Sequence, residues 1–117
     1  MFFRFRFIGE RAQLYLTGII GNGAPRVTGS YENEEITVSY LENTIKEIIL
    51  QSNSVQKIDY DIQHPVGSFY LAFKPYGVQN NYDRITNFVV RISSEQSSNH
   101  SVLVNCHFDT VPESPGT

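Results

Sequence analysis

The sequence predicts an α/β domain in which two helices are followed by about four strands. Two segments near the start repeat apolar residues every three or four positions, as one face of an amphipathic helix does. From Ile58 onwards, apolar and polar residues alternate, which is typical of a strand with one solvated face. Because the helices precede the strands and no internal repeat occurs, residues 1–117 are interpreted as the opening part of one α/β domain.

Composition and charge favour a folded domain and exclude some functions. The chain has 117 residues, of which 40% are hydrophobic and 18% charged, so it can bury a core. Its net charge of −3 and its nine scattered basic residues give no electrostatic basis for binding nucleic acid. No apolar run approaches the ~18 residues that a membrane-spanning helix needs. The single cysteine, Cys106, excludes an internal disulfide framework.

Helix boundaries are indicated by capping residues. The first helix is predicted over Ile8–Ile20, where Gly21 suits a left-handed cap and Pro25 cannot continue the helix. Ser30 is a good N-cap for the second helix, because its hydroxyl can accept a first-turn N–H. The apolar stripe of this second helix consists of Val38, Leu41, Ile45, Ile48 and Ile49.

Four stretches are predicted as strands. They are "VQKIDYDIQH" (55–64), "SFYLAF" (68–73), "YDRITNFVVRI" (82–92) and "VLVNCH" (102–107). In the first, Ile58, Tyr60 and Ile62 share one face, and Asp59 and Asp61 face solvent. The last is apolar enough to lie inside a sheet that is covered on both faces.

His107-Phe108-Asp109 is the most specific candidate site. On an extended segment, residues i and i+2 project to the same side, so His107 and Asp109 can point together. A neutral imidazole binds zinc through one nitrogen, while a carboxylate accepts the proton on the other and fixes the tautomer. The triplet follows a predicted strand, where ligands gather in α/β sheets. The alternative is a surface histidine beside a turn aspartate, since one ligand does not make a metal site.

Other polar residues are interpreted as structural or solvated. Cys106 precedes His107, but neighbours on a strand point to opposite faces, so a buried structural thiol is expected rather than a thiol–imidazole pair. Asp59 and Asp61 could form an acid/base pair, yet nothing near them in the sequence would separate their pKa values. Asn99-His100-Ser101 is an acceptor triplet for N-glycosylation, relevant if the domain lies in the secretory lumen.

The stretch "HSVLVNCHFDTVPESPGT" resembles the strand and turn that carry the first zinc ligand in zinc-dependent exopeptidases of the aminopeptidase/glutamate-carboxypeptidase type. Within that group it is most similar to the endoplasmic reticulum metallopeptidases and the related vacuolar membrane proteases. Further stretches agree in the same order, namely "ERAQLYLTGI", "APRVTGSYENE", "DIQHPVGSF" and "YDRITNFVVRI". The resemblance runs from about Phe7 to Thr117.

The resemblance implies a mixed sheet between helices and a centre of two zinc ions, which activates water to hydrolyse a peptide substrate. His107 matches the first zinc-binding histidine, and Asp109 matches the aspartate that orients it. The family's other ligands and its general base have no counterpart in residues 1–117, so we expect the chain alone to be inactive and to bind zinc weakly. The resemblance also implies an endoplasmic reticulum membrane protein, anchored by segments missing from this chain, whose catalytic domain faces the lumen.

Two other functions are compatible with these residues. One is a binding or structural relative that kept the fold and lost its metals, as in the transferrin-receptor branch of the superfamily. The other is an unrelated small binding domain, which would make the ordered matches coincidental. His107 followed by Asp109 favours the exopeptidase, because a relative without metals has no physical need for that pair.

Overall fold

A computed structural model describes residues 7–52, 56–94 and 99–116, in which two helices precede four strands. This order confirms the predicted α/β class. The helical part consists of α1 (Gly9–Ile20), a π-helical segment (Glu32–Thr37) and α2 (Val38–Gln51). The strands are β1 (Gln56–Gln63), β2 (Gly67–Leu71), β3 (Val78–Tyr82) and β4 (Asn87–Ser94). Within the described ranges, no helix is long and apolar enough to span a membrane.

Helix α1 ends as the sequence predicts. Gly21 follows the last helical residue with a φ of 57°, which is the left-handed region that glycine adopts without a steric penalty. Its N–H donates a hydrogen bond to the carbonyl oxygen of Thr17 at 3.0 Å. This bond satisfies one of the carbonyl groups that a helix end leaves without a partner.

The second helix begins with the predicted serine cap, and its first residues form a π-helix, which is wider than an α-helix. The Oγ of Ser30 accepts a hydrogen bond from the N–H of Asn33 at 3.2 Å. The Thr37 hydroxyl donates to the carbonyl oxygen of Glu32 at 2.8 Å. The N–H of Val38 donates to the carbonyl oxygen of Asn33. The main-chain bond from Val38 to Asn33 spans five residues, as in a π-helix, and residues 32–37 have this wider form before α2 begins.

Strands β1 and β4 pair antiparallel over their whole length, from Gln56 opposite Ser94 to Gln63 opposite Asn87. The predicted alternation in β1 is confirmed, because Ile58, Tyr60 and Ile62 are half-buried and the residues between them are exposed. A one-residue change in register would move this apolar set to the solvated face.

Strands β2 and β3 form a second antiparallel pair, with Gly67 opposite Tyr82 and Leu71 opposite Val78. The ring of Tyr82 lies over Gly67, where any Cβ would overlap the ring. β3 is absent from the predicted strands because its centre, Gln79-Asn80-Asn81, has low strand propensity. Both pairings are antiparallel, so the described residues supply only antiparallel neighbours to the implied mixed sheet.

The prediction that residues 102–107 form a strand is wrong. This stretch belongs to no helix or strand, and Val102, Leu103 and Val104 are 91%, 91% and 85% exposed. A buried strand needs hydrogen-bonded neighbours and a cover on both faces. Among the described residues, the two strand pairs include no partner for this stretch. Within the described part of the chain the predicted count of four strands is therefore correct, with β3 in place of 102–107.

The chain divides into two compact units. One consists of the residues up to Glu42 together with those from Phe108 onwards, and the other is Asn43–His107. No hydrophobic side chain in the described residues is buried. The buried side chains are polar, namely Arg26, Asn33, Thr37 and Thr86. Hydrophobic burial, usually the dominant favourable contribution to folding, is therefore small in this chain by itself.

We expect the isolated 117-residue chain to unfold on heating without a cooperative transition. Burial stabilises a fold by roughly 25 cal/mol per Å² of apolar surface, and the described residues form no buried apolar core. Far-UV circular dichroism during heating, combined with gel filtration, tests this expectation. A sharp melting transition of a monomeric species would contradict it.

Candidate functional site

Two segments far apart in the sequence are joined by a pair of hydrogen bonds between Arg26 and Thr110. Residues 25–28 and residues 108–116 together are called the clasp. The N–H of Arg26 donates to Oγ1 of Thr110 at 2.8 Å, and the N–H of Thr110 donates to the carbonyl oxygen of Arg26 at 2.8 Å. The clasp therefore holds the loop after α1 against the segment that begins with Phe108.

The guanidinium of Arg26 holds the same segment at two more points. Its Nε donates to the carbonyl oxygen of Phe108 at 3.1 Å, and its Nη1 donates to that of Pro115 at 2.7 Å. Arg26 is only 7% exposed, so these bonds replace those that water would make to its charge. Since the guanidinium is rigid and planar, it fixes the two carbonyl groups relative to each other.

Gly116 closes the clasp where no side chain fits. Its φ is 74°, in the left-handed region. A Cβ on this residue would lie 2.9 Å from Cγ2 of Thr110 and 3.2 Å from Nη2 of Arg26. Glycine is thus required both by the backbone conformation and by the close approach of Thr110.

Asp109 belongs to the clasp through its side chain. Its Oδ2 accepts a hydrogen bond from the hydroxyl of Thr28 at 2.8 Å, and the aspartate is half-buried. A hydrogen bond to an ionised carboxylate is roughly twice as strong as one between neutral groups. The residue predicted to orient His107 is therefore itself held by a side chain from the loop after α1.

The remaining predicted site residues lie in the other unit. His107 is exposed and follows the irregular stretch 101–106. Cys106 is also exposed, so the prediction of a buried structural thiol is wrong, because that stretch has no covering layer. Asp59 and Asp61 face solvent on β1, as predicted. Asn99 of the glycosylation triplet is exposed.

His107 and Asp109 are the residues predicted to supply one zinc ligand and the carboxylate partner of that ligand. A catalytic zinc ion usually has three protein ligands and an open position for water. Across residues 7–52, 56–94 and 99–116, no group of three His, Cys, Asp or Glu side chains could hold a metal ion. The described residues therefore do not form a complete metal site.

Sequence reasoning missed the residues that build the clasp. Arg26, Thr28 and Thr110 lie in stretches that carry the resemblance, "APRVTGSYENE" and "HSVLVNCHFDTVPESPGT", but no role was predicted for them. Their hydrogen bonds connect residues 81 to 89 positions apart. Local periodicity carries no information about such contacts. The sequence offered one indication that these residues are in contact, namely that both stretches match the same family.

Comparison with curated proteins identifies relatives over almost the whole chain. Human endoplasmic reticulum metallopeptidase 1 is 49% identical over 113 residues, which is 97% of this chain. The rat protein of the same name is 46% identical over 110 residues. The chain is homologous to the endoplasmic reticulum metallopeptidases. A Caenorhabditis elegans protein, putative endoplasmic reticulum metallopeptidase 1-A, is 34% identical over 113 residues.

These relatives confirm the resemblance to the endoplasmic reticulum metallopeptidases. The chain spans about 12% of the length of the human and rat proteins. No protein-family profile matches the chain. No solved structure matches it either.

We expect Arg26→Met to loosen the clasp in the natural full-length protein. The variant keeps an unbranched side chain but loses the two hydrogen bonds to carbonyl oxygens. A hydrogen bond to a charged group contributes about 1.5–3 kcal/mol, and about 1.4 kcal/mol corresponds to a tenfold change in an equilibrium. Amide exchange at Thr110, measured by hydrogen–deuterium exchange, should therefore accelerate at least ~10-fold.

Arg11→Met is the matched control for this expectation, because Arg11 is exposed on α1. It should leave exchange at Thr110 unchanged. Equal exchange rates in the wild type and Arg26→Met would show that the guanidinium does not hold the segment.

Proposed function

We propose that this chain is the opening part of the peptidase domain of a zinc-dependent exopeptidase, an aminopeptidase that hydrolyses peptide substrates. The observation that carries the proposal is the 49% identity to human endoplasmic reticulum metallopeptidase 1 over 97% of the chain. The metal in that name requires ligands, and His107 is the histidine that the resemblance matches to a zinc ligand. The choice of zinc and the aminopeptidase direction rest on the resemblance.

In this proposal the chain contributes one metal ligand and its support. His107 binds the metal through one imidazole nitrogen, and Asp109 accepts the proton on the other, which fixes the tautomer. The Thr28 hydroxyl holds the Asp109 carboxylate, and the Arg26 guanidinium holds the main chain around it. A bound zinc ion supplies a Lewis acid that makes water a nucleophile at neutral pH.

The remaining ligands, the general base and the substrate pocket come from other parts of the protein in this proposal. The relatives are about eight times as long as the matched segment, since that segment covers 12% of them. Their name places them in the endoplasmic reticulum. We therefore propose the same compartment, with the peptidase domain facing the lumen and membrane anchoring by segments outside residues 1–117.

The proposal predicts that His107→Ala removes metal and peptidase activity from the full-length protein. Losing one of about three protein ligands should lower zinc content at a fixed chelator concentration and reduce hydrolysis of aminoacyl fluorogenic substrates by at least ~100-fold. Metal analysis and steady-state kinetics on the same preparations give both values.

His64→Ala is the matched control, because His64 is an exposed histidine between β1 and β2. It should keep wild-type zinc content and activity. A wild-type protein that holds no zinc and hydrolyses no peptide would favour the non-catalytic relative. A His107→Ala variant with full activity would contradict the assignment of this ligand.

A further inference from the structure

The hydrogen bond from Thr28 to Asp109 links the loop after α1 to the predicted metal-site carboxylate. Its length is 2.8 Å between Thr28 Oγ1 and Asp109 Oδ2. Two residues before Thr28, Arg26 exchanges hydrogen bonds with Thr110, the residue after Asp109. These two bonds hold the segments together next to the point where the Thr28 hydroxyl donates to the Asp109 carboxylate.

A hydroxyl donor in this position restricts how the carboxylate turns. The terminal torsion of an aspartate is broad, so an unrestrained carboxylate samples many orientations. A bond to one oxygen selects a narrow range, and such a bond to an ionised acceptor is comparatively strong. Carboxylates bonded directly to metal-binding histidines orient them in proteins generally, and in the proposed function Asp109 is that carboxylate while Thr28 holds Asp109 from one bond further out.

We propose that Thr28 is a positioning residue for the metal site, acting through Asp109. The proposal rests on the proposed function, in which Asp109 orients His107. Thr28 itself touches neither metal nor substrate. Its contribution is to hold one oxygen of the Asp109 carboxylate, so that the carboxylate is already oriented before a metal binds.

Thr28 differs from Arg26 in what its loss would do. Arg26 is buried and bonds main-chain groups at several points, so its removal disturbs the clasp as a whole. Thr28 is exposed, and its side-chain bond goes to a single carboxylate oxygen. Replacing its hydroxyl by a methyl group therefore tests the hydrogen bond with little change in packing.

The test compares zinc binding by Thr28→Val and Thr28→Ser in the full-length protein. Zinc dissociation constants are measured by competition with a chromophoric chelator, and the melting temperature of the metal-free protein is measured in parallel. We expect Thr28→Val to weaken zinc binding several-fold, which is less than the roughly 10- to 100-fold effect of losing the direct partner of a ligand, because Thr28 acts through Asp109. Thr28→Ser keeps the hydroxyl and should bind zinc nearly as the wild type does.

Thr17→Val is the matched control, because it removes a threonine hydroxyl that donates to the carbonyl oxygen of Gln13 within α1. It should leave zinc affinity unchanged. In Thr28→Val, the metal-free melting temperature should equal that of Thr28→Ser, which separates positioning from a general loss of stability.

Four results would overturn the proposal. The first is wild-type zinc affinity in Thr28→Val, and the second is a Thr28→Ser variant as weak as Thr28→Val. The third is a fall in the metal-free melting temperature of Thr28→Val that accompanies its loss of affinity. In these three cases the proposed function survives if His107→Ala still lowers zinc affinity. The fourth is a wild type without zinc, or an unaffected His107→Ala variant, and it removes both proposals together.

Discussion

The buried guanidinium of Arg26 is the constraint on which the described site depends. Arg26 is only 7% exposed, and a buried positive charge is tolerated only when it has good hydrogen-bond acceptors. Two of its acceptors are the carbonyl oxygens of Phe108 and Pro115. Because these acceptors belong to the main chain, the guanidinium fixes the path of the backbone whatever side chains that segment carries. Asp109 lies within this path, so its position follows from an arginine more than 80 residues earlier in the chain.

Burial in the described residues is the reverse of that in a typical domain. Polar side chains such as Arg26 and Thr37 are buried, whereas Leu103 and its valine neighbours are almost fully exposed. The proposed role as part of a larger peptidase domain gives this pattern a physical reason. Arg26 and Thr37 make side-chain hydrogen bonds within the chain, while the apolar stretch 102–104 would pack against parts of the domain outside it.

Sequence reasoning succeeded where structure is set locally. The cap at Gly21, the N-cap at Ser30 and the alternation in β1 all follow from residues within a few positions of each other. It failed for β3 and for residues 102–107, since a strand depends on its neighbours as much as on its own composition. For the site, the sequence and the resemblance gave His107 and Asp109, but they could not give the threonine and arginine that hold Asp109 across 81 or more positions.

In the proposed function, His107 binds a metal ion while Asp109, held by the clasp, orients it. The most direct test is a crystal structure of the full-length protein with X-ray data collected on both sides of the zinc absorption edge. We expect an anomalous zinc peak about 2.0–2.1 Å from an imidazole nitrogen of His107, with Asp109 bonded to the other nitrogen. Zinc bound elsewhere, with His107 outside its coordination sphere, would contradict it.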